Sequence, residues 1–89
     1  MNLSLPVSIL REGNRYVAYS PALDLSTSGR THAEAQRRFA EAAMLFFEEI
    51  NRKRTMDTAL TELGWQRARR TWQAPVVVSQ SLETFSVPA

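Results

Sequence analysis

The stretch Thr31–Arg52, THAEAQRRFAEAAMLFFEEINR, constrains the fold more than any other part of the chain. Thr31-His32-Ala33-Glu34 has the Thr-x-x-Glu form of a capping box. In that motif the Thr31 hydroxyl accepts from the Glu34 N–H while the Glu34 carboxylate reaches back. Behind it Ala35, Phe39, Ala42, Phe46 and Ile50 recur at helical spacing and make one apolar face. Arg37, Arg38, Glu41 and Glu48 fall on the other side, with Arg37–Glu41 and Arg38–Glu41 spaced as helical ion pairs. A long amphipathic helix is expected here, packed by that apolar face against the rest of the chain.

What precedes it reads as strands. Leu3, Leu5, Val7 and Ile9 alternate with Ser4, Pro6 and Ser8, the period expected of a strand with one buried face. Pro6 has no N–H to donate, so that strand belongs at an edge or breaks there. Glu12-Gly13-Asn14 supplies turn chemistry, and Tyr16–Ser20 returns as a second strand that Pro21 ends. Leu23, Leu25 and Thr27 alternate again and predict a short third strand closing at Gly29.

After the helix, Thr55 can cap a second, shorter one, with Met56, Ala59, Leu60 and Leu63 inward and Gly64 as its stop. A polar segment, Gln66–Ala74, follows. Pro75 then introduces Val76-Val77-Val78, and Leu82–Val87 carries Phe85 and Val87. The valine run predicts a strand. The fold class expected is α+β: a three-stranded antiparallel meander with one long packed helix, a short second helix and a C-terminal strand. Residues 1–89 make one domain, with 1–64 as its core and 65–89 as a tail.

A chain of 89 residues buries roughly 60–65% of its unfolded surface, so this core is thin. The absence of cysteine excludes disulfides and thiolate metal sites, and fits a reducing cytoplasm. The N-terminus, MNLSLPVSIL, lacks the pattern of a signal peptide, and no apolar run approaches the ~20 residues that span a bilayer. A cytoplasmic protein without membrane contact is expected.

Little in the sequence suggests catalysis. Two-metal nuclease chemistry needs several convergent carboxylates. The strand region offers Glu12, at a turn, and Asp24, which reads as an N–H acceptor in its own loop. His32 falls in the first helical turn, and no third group orients it toward Ser20, Ser26 or Ser28. Gly13, Gly29 and Gly64 form no phosphate-cradling pattern. No enzyme activity, cofactor or metal is expected.

The basic residues sit in two groups, Arg52-Lys53-Arg54 and Arg67, Arg69 and Arg70, on a chain of formal charge +2. They read as solvated helix ends and loop. Nucleic-acid contact is the alternative, sharpened by Trp65–Trp72, WQRARRTW, where arginines beside aromatics could stack on bases. Tryptophans in such a place also anchor a loose tail to a small core.

From Tyr16 to Ile50 the chain resembles the HicB family of antitoxins. The residues that carry the likeness are the strand Tyr16-Val17-Ala18-Tyr19 and the loop Ser20-Pro21-Ala22-Leu23-Asp24. A stretch ending in Gly29 and the helix start Thr31, Glu34, Ala35 follow, then Ala42-Ala43 and Phe46-Phe47-Glu48-Glu49. The resemblance implies a fold like a reduced ribonuclease H domain that has lost its catalytic carboxylates. It implies a protein that binds and inhibits a small HicA-type ribonuclease toxin. Many members also carry a DNA-binding helix-turn-helix or ribbon-helix-helix. The residues after Gly64 do not fit one, so DNA binding by this chain alone is not expected.

The function expected is therefore that of a type II antitoxin. Trp72, Val76, Val77, Val78, Leu82 and Phe85 are the expected toxin contacts, since an extended tail can add a strand to a partner's sheet. The same valines could instead finish the home sheet. The alternatives are a stand-alone oligomeric domain without a toxin, and a nucleic-acid-binding module using Arg52, Lys53, Arg54, Arg67, Arg69 and Arg70. A homodimer or higher homo-oligomer is expected from the small core.

Overall fold

Gly13 and Asn14 turn the chain between β1 (Ser8–Glu12) and β2 (Arg15–Ser20) in the computed structural model, which describes residues 1–88. Glu12 pairs with Arg15, leaving a two-residue loop with Gly13 at φ +61°. Glycine at the first central position with positive φ is the requirement of a type II′ hairpin turn. β2 then pairs antiparallel with β3 (Leu25–Gly29), so the sheet has the order β1-β2-β3. Between β2 and β3, the Ser20 hydroxyl accepts from the Ala22 N–H at 3.2 Å and holds a tight loop with Ala22 and Leu23 buried.

Antiparallel partners share a face, which fixes the two sides of this sheet. Ile9, Ala18 and Thr27 lie in one row, Ser20 and Leu25 in the next, Tyr16 and Gly29 in a third. That side carries α1 (His32–Arg52), which crosses closest to β3. Close approach needs small residues: Ala18 and Ala35 are fully buried, and a Cβ on Gly29 would sit 2.6 Å from the Ala35 nitrogen. The Thr27 hydroxyl bridges the layers by donating to the Ala35 carbonyl at 3.0 Å.

The start of α1 is as the sequence predicts, with one shift. Thr31 is the N-cap, and its hydroxyl accepts from the Glu34 N–H at 3.0 Å. The Glu34 carboxylate reaches back to the N–H of Arg30, one residue before the cap, at 3.3 Å. Ala35, Phe39, Ala43 and Ile50 are buried, with Ala42 and Phe46 half-buried on the flank. The helix ends in a Schellman motif: Thr55 donates to the Ile50 carbonyl at 2.9 Å and Arg54, at φ +58°, to Asn51 at 3.1 Å.

α2 (Met56–Glu62) follows directly. Thr55 stands at its N-terminus but its side chain caps nothing there, because its hydroxyl donates back to the Ile50 carbonyl. The C-terminal stop is the expected Gly64, at φ +90°, again in a Schellman motif. Trp65 donates to Leu60 at 2.9 Å and Gly64 to Thr61 at 3.1 Å, and Leu60 is fully buried.

The chain then makes a small hairpin of β4 (Gln66–Ala68) and β5 (Thr71–Gln73). Trp65 precedes it and Trp72 sits in β5, and both are buried. The Trp65 indole donates to the Ala22 carbonyl at 2.7 Å, and its ring meets Phe47 edge-on, with centroids 6.2 Å apart. The architecture is thus α+β: a three-stranded antiparallel meander, a long helix, a short helix and a C-terminal strand pair.

Two strand placements differ from expectation. β1 begins at Ser8 rather than Leu3, since Pro6 cannot continue a ladder; Leu3 and Leu5 still pack, half-buried, against the core. The terminal strands lie at Gln66–Gln73, not in the valine run. Residues 74–88 hold no regular structure, and Val76 and Val78 are exposed. The two tryptophans supply the burial that the hairpin needs, and nothing equivalent anchors the valines. No helix is long and apolar enough to cross a membrane.

Candidate protein-interaction surface

Two tryptophans tie the segment after α2 to the core, so the free tail starts near Ala74 rather than at Trp65. Trp72 is 7% exposed and packs in the core; it offers a partner almost no surface. The other five expected contacts are open. Val76 is 76% exposed, Val78 92% and Leu82 104%, while Val77 and Phe85 are also exposed, as is Val87. An apolar segment of this length held in water is the feature that marks an interaction surface.

The tail runs beside the uncovered side of the sheet. Leu10, Val17 and Tyr19 project there, because they alternate with residues facing α1. An open groove of about 820 Å³ lies between the two, lined by Leu10, Tyr19 and Pro21 on one side and Val77, Ser81 and Leu82 on the other. β1 is an edge strand, its far side unpaired. The tail, the groove and the edge therefore adjoin one another.

Half of the residues in the two basic groups are drawn into local ion pairs. Lys53 lies 2.9 Å from the Glu49 carboxylate, which also accepts from Arg52. The hydrogen bond from Arg52, then that from Lys53, lowers the Glu49 pKa to about 2. Arg67 sits 3.7 Å from Asp57 and 5.3 Å above the centre of the Trp72 ring. Arg54, Arg69 and Arg70 have no ion pair among the described residues. The groups do not form one basic face with stacking platforms, because the aromatic rings of Trp65 and Trp72 are buried.

The titratable residues weighed for catalysis are scattered. His32 is exposed on the first turn of α1, with its ring edge-on to Tyr16 at 6.4 Å. Asp24, at φ +49° in the loop before β3, accepts from the hydroxyl of Tyr19 in β2 at 3.5 Å. Among the described residues no three His, Cys, Asp or Glu side chains come together as metal ligands.

Sequence reasoning missed one surface. Met44 and Leu45 are 56% and 67% exposed on the side of α1 away from the sheet. Met1, Leu3, Met44, Phe47 and Met56 line a second groove along that helix. The signal was present: Ala40, Met44 and Leu45 interrupt the charged face of the helix. A search of protein-family models, curated proteins and solved structures finds no match to this chain.

Proposed function

We propose that this chain is a protein-binding module of the HicB-like antitoxin type, acting in the cytoplasm to mask a small HicA-like ribonuclease toxin. The observation that carries the reading is the exposed apolar tail leaving a closed core beside an unpaired strand edge. Such a tail supplies what strand addition requires: free backbone groups for main-chain hydrogen bonds and open side chains for specificity. The order of strand, Pro21 loop, Gly29 and Thr31-capped helix is the one that the resemblance to the HicB family rests on. Binding then needs no catalytic group of its own. Covering the toxin's active surface is sufficient to inhibit it.

The experiment is co-expression with the short reading frame beside its gene, read by co-purification and by recovery of growth. The full chain is expected to form a tight complex and restore growth. A Val76→Asp, Val78→Asp, Phe85→Asp triple variant should fold identically and lose both effects, since all three side chains are exposed. A triple variant that still neutralises at full affinity removes the tail from the contact. No complex and no rescue by the full chain overturns the antitoxin reading itself.

A further inference from the structure

The outer face of α1 is complementary to itself. Arg37, Glu41, Met44 and Glu48 follow at steps of four, three and four residues, a straight stripe opposite buried Phe39 and Ile50. Ala40 and Leu45 flank Met44, so the middle of the stripe is apolar apart from Glu41, and its ends, Arg37 and Glu48, are charged with opposite sign. All six of these residues are exposed. We infer that this face is the interface of an isologous homodimer, in which α1 packs antiparallel on α1 of a second copy.

The register follows from the charges. With the two-fold axis at the level of Ala42-Ala43, Arg37 and Glu48 lie equally far from it on opposite sides. Each Arg37 then faces the other copy's Glu48, twice over, and Met44 meets the opposite helix beside Leu45 and Ala40. Glu48 has no ion pair within its own chain among the described residues. Glu41, near the middle, already has Arg37 within 4.0 Å, so its charge is partly offset before the helices meet. A parallel pair would set Arg37 against Arg37 and Glu48 against Glu48, which like-charge repulsion disfavours. The charges therefore select one orientation.

The groove lined by Met1, Met44, Phe47 and Met56 continues the same surface on one flank. It contains all three methionines of the chain, and flexible thioethers adapt to a facing helix. An interface confined to one helical stripe and its flank belongs to the small class of interfaces, which are the weak ones. The dimer is accordingly a micromolar one. It is independent of the antitoxin reading, since it uses α1 and not the tail.

The test is sedimentation equilibrium of the full chain alone, without any toxin. Wild type is expected to be dimeric at about 100 µM and to dissociate on dilution toward about 1 µM. Met44→Glu with Leu45→Glu should give a monomer with unchanged circular dichroism, both side chains being exposed. Arg37→Glu alone should weaken the dimer on the order of tenfold, and Arg37→Glu with Glu48→Arg should recover it. The recovery keeps the test decisive even if the apolar variant were to unfold. A wild type that stays monomeric at about 100 µM, or a dimer indifferent to the single charge reversal, overturns the inference.

Discussion

Arg54 and Arg69 occupy left-handed backbone, at φ +58° and +54°, in places where glycine is the usual residue. Arg54 is the position just past the cap of α1, and two Schellman hydrogen bonds depend on that conformation. An L side chain there carries steric strain of about 1–2 kcal/mol, part of which glycine recovers after its greater loss of chain entropy. Arg54→Gly is therefore expected to stabilise the fold by about 0.5–1 kcal/mol, read as a raised midpoint in urea denaturation. A lowered midpoint would mean that the Arg54 side chain makes a contact outweighing the strain. The contrast with Gly64 is instructive. Gly64 announced its turn in the sequence, because glycine after an apolar helical run is a stop signal. Arg54 announced nothing, since arginine has no preference for this conformation.

Among the elements, α1 was the most legible, because capping box and apolar periodicity agree along its whole length. The hairpin β4–β5 was the least. Its strands are three residues long, and Gln66, Arg67 and Gln73 are exposed, so no alternation could show. The valine run gave the stronger local strand signal, yet the fold leaves it in water. Burial of Trp65 and Trp72 decided the matter, and tertiary packing overrode β-propensity, as it often does. A consequence can be measured. Trp72→Ala removes a buried ring and is expected to destabilise the fold by about 3–5 kcal/mol. Ending the chain after Pro75, which stacks beside Gly64, should leave the thermal midpoint of the circular dichroism signal essentially unchanged. A large loss on truncation would show that the tail holds the core together. It would then be a structural element and not a free arm.

The whole molecule is longer than its size requires. Its radius of gyration is 15.5 Å, with extents of 48 × 28 × 21 Å. A compact chain of 89 residues has about 12 Å, and the tail accounts for the excess. The candidate site was legible in the sequence to the extent that Val76, Val77, Val78, Leu82 and Phe85 are open to a partner. Trp72, in contrast, is buried as an anchor of the hairpin, a role that sequence alone cannot separate from that of an exposed ring. Charge is the other property read at this scale. The formal +2 and a pI near 9.7 would suit a nucleic-acid binder, but Arg52, Lys53 and Arg67 are held by Glu49 and Asp57. That leaves Arg54, Arg69 and Arg70 of the two basic groups without acidic partners. Each phosphate neutralised contributes about −0.9 to the slope of log affinity against log salt for duplex DNA. Three such contacts give a slope no steeper than about −3, with weak binding gone by roughly 200 mM salt. Filter binding or fluorescence anisotropy with duplex DNA between about 50 and 200 mM salt checks this directly. A slope nearer −6, with binding that survives roughly 200 mM, would bring in the arginines outside the two groups, Arg11, Arg15 and Arg30, which also have no ion pair among the described residues. It would make nucleic acid, and not a protein, the partner that this surface serves.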